Sequence, residues 1–161
     1  MRTTTSAVTR DVEKYRKFLK SGMPGPHAYV VLLGVTHFDW PSVLAQIEKG
    51  LPATSVERFG RNTGFSLEET LQLISIAKRT FMRRKQQGRL SPEESDRLIR
   101  ASRVFATALH LFAGDVDDTR EWLTDAQRAF GGITPAEMTR SDIGAHEVER
   151  LVFQLLHGVL P

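Results

Sequence analysis

Three segments of this sequence carry the pattern with which α-helices commonly begin. In each, a serine or threonine stands three residues before a glutamate, so each side chain can accept a hydrogen bond from the other residue's backbone N–H. In two of them a proline follows the capping residue, where its missing N–H costs no helical hydrogen bond. The pairs are Ser66 and Glu69, Ser91 and Glu94, and Thr134 and Glu137. Helices are therefore predicted to start at residues 67, 92 and 135.

Apolar residues at helical spacing predict further helices on both sides of these starts. The expected helices cover about 11–19, 40–50, 54–61, 67–74, 78–87, 92–113, 115–124 and 144–158, with a shorter one from 135. Leu44 is expected in the buried stripe of its helix, Leu67 on the apolar face of its helix, and His110 in the core or at an interface. Ser95 is expected to form surface and inter-helix hydrogen bonds near the start of its helix. The sequence thus predicts an all-α fold with short connections.

Composition limits what such a fold can do. With 161 residues, 40% of them apolar and 25% charged, the chain suits one domain or two small ones. The lack of cysteine excludes disulfides, thiol catalysis and thiolate metal sites, and fits a cytoplasmic protein. The longest apolar run, 28–35, is too short to cross a membrane. Periodicity leaves open whether this run is a β-strand or a buried helical turn.

A basic segment divides the charges of the chain. From Lys78 to Arg89 there is no acidic residue, whereas residues 90–161 hold 12 Asp and Glu against 7 Lys and Arg. A short basic helix that closely follows another short helix predicts a helix-turn-helix unit, whose second helix lies in the DNA major groove. Base edges are expected to meet Lys78, Arg79 and Thr80, and phosphates Arg83, Arg84 and Lys85.

Two positions of this segment depart from the usual helix-turn-helix pattern. The turn usually contains glycine, because its backbone needs a positive φ, and here it contains Ser75. The second helix usually follows a capping serine or threonine, and here Ala77 stands in that place. The alternative interpretation of the basic segment is a solvated helix face that binds no DNA.

No pattern in the sequence predicts a catalytic, metal or cofactor site. Asp115, Asp117 and Asp118 lack the further ligands of a calcium loop, and are expected to cap and begin a helix instead. The five histidines lack metal-ligand spacing, and no phosphate-binding glycine loop is present. We therefore predict that the chain is not an enzyme.

Five pieces of the sequence, in matching order and spacing, resemble the Xre/ParS-type antitoxins of bacterial type II toxin–antitoxin systems. The pieces are R-T-F-M-R-R-K with G-R-L-S-P-E-E-S-D-R-L-I-R, E-W-L at 121–123, F-G-G-I-T-P at 130–135, D-I-G-A-H-E-V-E-R-L-V at 142–152, and H-G-V-L at 157–160. The resemblance covers about residues 50–161. The resemblance implies an Xre-like helix-turn-helix domain followed by a small helical toxin-binding domain.

The resemblance also implies domain boundaries and partners. Residues 1–50 would be a helical extension and a candidate for dimerisation, 51–90 the helix-turn-helix domain, and 91–161 the toxin-binding domain. The family's usual partner is a RES-domain toxin that consumes NAD⁺ or uses it for ADP-ribosylation. Family members dimerise within a larger toxin–antitoxin complex, bind their own operator DNA, and cover the toxin's active-site cleft. Toxin contacts are then expected at Glu149, Arg150, Phe153, His157, Gly158, Val159, Leu160 and Pro161.

The apolar end of the chain favours a partner independently of the resemblance. Val159, Leu160 and Pro161 need either a groove on their own fold or another protein, because exposed apolar patches usually mark contacts. Two other functions remain open at this point. One is a transcription regulator whose C-terminal domain only dimerises, and the other is a protein-interaction module that does not bind DNA.

Overall fold

The computed structural model describes residues 8–159, and over this range it consists of nine α-helices and two 3₁₀-helices. No β-strand occurs among these residues, so the predicted all-α fold is confirmed. Leu160 and Pro161, two of the predicted toxin contacts, lie outside the described residues. The α-helices are α1 (Arg10–Ser21), α2 (Trp40–Lys49), α3 (Thr54–Thr63), α4 (Leu67–Leu73), α5 (Lys78–Gln87), α6 (Pro92–Leu111), α7 (Val116–Thr124), α8 (Pro135–Met138) and α9 (Asp142–Leu156).

All three predicted capping boxes are present. At the start of α6, the hydroxyl of Ser91 accepts from the Glu94 N–H at 3.1 Å, and the Glu94 carboxylate accepts from the Ser91 N–H at 2.8 Å. The same reciprocal pairs open α4 and α8. Local sequence therefore determines where these three helices begin.

The apolar run at 28–35 forms a 3₁₀-helix, Ala28–Leu33, whose six residues are all buried. It packs against α1, α3 and α6. Side chains from two of these helices bind its carbonyl groups: Ser102 donates to the Tyr29 carbonyl at 2.9 Å, and Asn62 to the Leu32 carbonyl at 2.8 Å. Of the two alternatives, the run is thus a buried helical turn and not a strand.

Helix α6 lies at the centre of a single cluster of buried side chains that extends from Val12 to Val152. Phe105 of α6 packs edge-on against Phe59 and Phe65, with ring centroids 6.2 and 6.3 Å apart. α9 packs along α6 and contributes Val152 to the same cluster. The elements on either side of α6 therefore share one core.

The first helix is fastened to this core by two arginine contacts. The Asp11 carboxylate accepts from Arg58 of α3 at 2.7 and 2.8 Å and from Asn62 at 2.9 Å. The hydrogen bond from Arg58 is the main reason that the pKa of Asp11 lies below 3.8. Arg16 donates to the Gly114 carbonyl, just after α6, at 2.9 and 2.6 Å. Helix α1 and the 3₁₀-helix Ala28–Leu33, which precede α2, are thus part of the packed structure.

Four side chains lie where the sequence did not predict them. Leu44 is 46% exposed, because α2 buries Val43 and turns the next position outward. Leu67 is 37% exposed because it is the first residue of α4, and His110 is exposed in the last turn of α6. Ser95, expected at the surface with hydrogen bonds between helices, is fully buried, although it does bind the segment before α3.

Ser95 joins α6 to the segment before α3, and its removal should destabilise the fold. Its hydroxyl accepts from the buried Leu51 N–H at 2.8 Å and donates to the Ser91 carbonyl at 2.8 Å. Ser95→Ala leaves the Leu51 N–H without this acceptor, which should lower the free energy of unfolding by about 1–3 kcal/mol in urea denaturation. Ser21→Ala, at an exposed helix end, is the control. Equal stabilities for the two variants would show that the Ser95 bond is not structural.

Candidate functional site

Helices α4 and α5 with their turn form the predicted helix-turn-helix unit. Ser75 in the turn has φ of +53°, so it adopts the left-handed conformation that glycine more often supplies. The Ile76 N–H donates to the Leu71 carbonyl at 2.9 Å, and Ile76 and Phe81 are buried. Ala77 precedes α5 without a side-chain cap. The turn geometry is therefore present despite the departure at Ser75, whereas the cap is absent.

One face of α5 is exposed along its whole length. Its residues follow one another at helical spacing and are Lys78, Arg79, Met82, Arg83 and Gln86. We call this set the outer face of α5. Thr80, also predicted to approach bases, is half-buried at the edge of this face. Met82 and Gln86 were not predicted, although helical periodicity applied to α5 would have identified them.

Two of the predicted phosphate contacts are bound within the chain. Arg84 donates to both carboxylate oxygens of Glu94, at 2.8 and 3.1 Å. The Nζ of Lys85 lies 2.7 Å from the Oε1 of Glu57 in α3. Both side chains therefore point along the flanks of α5 towards neighbouring helices, and neither belongs to the outer face.

Glu94 joins α5 to α6 through a single carboxylate. Burial raises the pKa of Glu94, but hydrogen bonds from Arg84 and from the Ser91 backbone outweigh burial and hold the pKa below 4.5. The same contact with Glu94 raises the pKa of the Arg84 guanidinium. The recognition-helix candidate and the start of α6 are thus fixed to each other by a bidentate ion pair.

Three arginines of α6, spaced three residues apart, bind other parts of the chain. Arg97 donates to the Ser75 carbonyl at 2.9 Å, and therefore holds the helix-turn-helix turn. Arg100 donates to the Arg140 carbonyl at 3.1 Å. The last of the row is Arg103, which pairs with Glu149 of α9. One row of α6 thus contacts both the turn before α5 and the beginning of α9.

The last turns of α9 carry apolar side chains that are exposed. Val148 and Val152 are buried, whereas Leu155 continues the same line of the helix but is exposed. Val159, which follows the end of the helix, is also exposed. On the neighbouring line Phe153 is 58% exposed and stacks on His157 with ring centroids 4.1 Å apart. We call Phe153, Leu155, Leu156, His157 and Val159 the apolar end of α9. It includes three predicted toxin contacts, and adds Leu155 and Leu156, whose exposure periodicity did not indicate.

The charged residues predicted as toxin contacts lie beside this end and are paired within the chain. Glu149 pairs with Arg103 and is largely covered. Arg150 donates to Glu147 at 2.6 Å and is exposed. Gly158, with φ of +66°, follows the last helical turn. The structure therefore places Glu149, Arg150 and Phe153 on one side of α9, with His157 directly after its last residue.

The acidic segment before α7 has the capping role predicted for it. Asp115 accepts from the Asp118 N–H at 2.9 Å and so caps α7. Nowhere in residues 8–159 do three or more metal-ligating side chains form a group. Within the same range, no helix has both the length and the apolar character needed to cross a membrane.

Comparison with known proteins places both surfaces in matched domains. Residues 42–103 match the antitoxin Xre-like helix-turn-helix domain, and residues 107–158 match the antitoxin Xre/MbcA/ParS C-terminal toxin-binding domain. A protein named antitoxin Xre from Photorhabdus laumondii is 31% identical over 129 residues, which are 80% of this chain and 87% of that protein. The chain belongs to the Xre antitoxin family.

Two further antitoxin Xre proteins are similar to this family member. The one from Yersinia enterocolitica is 36% identical over 92 residues, covering 56% of this chain and 62% of that protein. The one from Pseudomonas putida is 29% identical over 114 residues, covering 70% of each. The two matched domains of this Xre family member meet within α6.

Glu94→Gln should make the fold of this Xre family member less sensitive to acid. Because the folded-state pKa of Glu94 is lowered, its carboxylate stabilises the fold above the ordinary pKa of 4.5, and this contribution is lost as pH falls through the lowered value. Glutamine does not titrate. The variant should therefore be less stable at neutral pH, and the deficit should shrink as pH falls through the lowered pKa of Glu94.

Urea unfolding at a series of pH values measures this deficit. Glu68→Gln, at an exposed position of α4, is the matched control and should follow the wild type. A deficit that stays constant from neutral to acidic pH would contradict the role assigned to the Glu94 carboxylate.

Proposed function

We propose that this chain is an antitoxin that neutralises a RES-domain, NAD-consuming toxin and represses its own operon. The observation that carries the proposal is the apolar end of α9, whose side chains are exposed and which lies, apart from Val159, within the match to a toxin-binding domain. Apolar side chains clustered at the end of a helix are typical of a protein contact. The outer face of α5 supplies the second activity.

Neutralisation would be steric. The apolar end of α9 would enter the toxin's active-site cleft, where burial of one large apolar side chain contributes about 1.5–3 kcal/mol. Phe153 is the best anchor because it is aromatic, exposed and held by its stack on His157. Glu149 and Arg150 would form the charged rim. An inserted helix end excludes NAD⁺ without any chemical step by the antitoxin.

Phe153→Ala and removal of residues 158–161 should each weaken inhibition of the toxin. Loss of the Phe153 contact is expected to raise the antitoxin concentration needed for half-inhibition about 10- to 100-fold. NAD⁺ consumption by the toxin encoded beside this chain, titrated with antitoxin, measures the effect. Ile143→Ala is the matched control, because Ile143 is 76% exposed but lies in the first turn of α9.

Two outcomes would contradict this proposal. Full inhibition by both altered antitoxins would exclude the steric mechanism. If the wild type neither binds nor inhibits any toxin, the chain is a helix-turn-helix transcription regulator whose C-terminal domain only dimerises.

Repression would follow from insertion of α5 into the major groove of operator DNA. Support comes from the helix-turn-helix match and from the exposure of Lys78, Arg79 and Arg83. Gln86 carries the amide that pairs with adenine, and Met82 is an apolar partner for a thymine methyl group. A bacterial protein that binds operator DNA acts in the cytoplasm, and we therefore place the chain there.

The helix-turn-helix unit would act as a homodimer on two operator half-sites. We place the dimer contact on α2, where Trp40 is 66% exposed and Leu44 lies one helical turn further on. A tryptophan exposed on a helix is a typical interface anchor. Two copies of the antitoxin would then hold their α5 helices one helical turn of DNA apart.

Arg83→Ala and Arg84→Ala should have different effects on DNA binding. Arg83 lies on the outer face of α5, so its loss should remove one phosphate contact and make the salt dependence of affinity shallower by about 0.9. Arg84 is bound to Glu94, so its loss should lower the stability and leave the salt slope unchanged. Fluorescence anisotropy on the DNA upstream of the gene, at several salt concentrations, measures both slopes. Equal slopes for the two variants would contradict this assignment.

A further inference from the structure

A groove lies between the helix-turn-helix unit and the C-terminal domain. It has a volume of about 840 Å³ and is lined by one side of α4, the turn at Ser75, the first residue of α5, and Arg140. Arg140 stands just before α9 and belongs to the segment matched to the toxin-binding domain. Residues of both matched domains therefore line the groove, with Arg140 contributed by the C-terminal domain.

Contacts with neighbouring residues hold the backbone of Arg140 in place. Arg100, whose side chain is only 14% exposed, donates to the Arg140 carbonyl at 3.1 Å. The start of α9 packs so closely against α8 that a Cβ on Gly144 would collide with the Met138 carbonyl oxygen. The Arg140 backbone is thus held while its side chain is exposed and lines the groove.

The guanidinium of Arg140 makes no hydrogen bond or salt bridge with any residue between Val8 and Val159, although the Glu137 carboxylate lies near it. Two cations, Lys78 and Arg140, line the groove, against one carboxylate, that of Glu68. Lys78 also belongs to the outer face of α5. The groove is therefore continuous with the proposed DNA-reading face and carries a net positive charge.

We propose that this groove takes the sugar-phosphate backbone of the operator and that Arg140 contacts a phosphate there. The inference rests on the proposed binding of DNA by α5. When the second helix of a helix-turn-helix unit lies in the major groove, the first helix crosses the flanking backbone. Here α4 is that first helix, and Arg140 faces it across the groove. The DNA surface thus includes a residue of the toxin-binding domain.

Arg140→Ala should make the salt dependence of operator affinity shallower by about 0.9 and weaken binding about eightfold at 0.1 M salt. Arg140→Lys keeps the charge and should restore the slope. Arg128→Ala is the matched control, because it removes another exposed arginine of the C-terminal domain that does not line the groove. All variants are made in the full chain and measured by anisotropy on the upstream DNA.

A gain of charge tests the same groove without the loss of any contact. Glu68→Lys should steepen the salt slope by about 0.9, because it replaces the one groove carboxylate with a cation. This inference alone is overturned if the salt slope is unchanged in both Arg140→Ala and Glu68→Lys, while the slope of Arg83→Ala remains shallower than that of the wild type. If the wild type does not bind the upstream DNA, the proposed operator function itself fails.

Discussion

The burial of α6 on several sides at once is the constraint on which the rest of the structure depends. A helix that is apolar on more than one face can be stable only when other elements cover it, and here α9, α7 and the 3₁₀-helix Ala28–Leu33 do so. The polar residues that α6 retains are correspondingly bonded, as Ser95 and Ser102 show. Both matched domains therefore share one central helix and one core.

Local chemistry made much of this fold predictable. The capping boxes indicated where α4, α6 and α8 begin, because capping involves only residues that are neighbours in the chain. Pairing between distant residues was not visible in the same way. Lys85 binds Glu57, 28 positions earlier, and Arg84 binds Glu94 across a turn. The linear sequence shows Arg84 and Lys85 as free cations, whereas in the structure both are bound to carboxylates of the same chain.

The candidate surfaces differ in how far sequence could predict them. Exposure of Lys78, Arg79 and Arg83 follows from helical spacing alone, once Phe81 is known to be buried. The apolar end of α9 required the structure, because Leu155 continues the helical spacing of the buried Val148 and Val152 and yet is exposed. Arg140 was missed because it is an isolated cation outside the basic segment.

The arginine row of α6 has a consequence for the geometry of the proposed assembly. Arg97 binds the turn before α5, and Arg103 binds α9, so one helix contacts both the proposed DNA-binding unit and the proposed toxin-binding helix. On an operator with two half-sites, the toxins bound to the proposed dimer would be related by the same two-fold axis as the half-sites. The base sequence of a promoter would then dictate the spatial arrangement of proteins that never touch it.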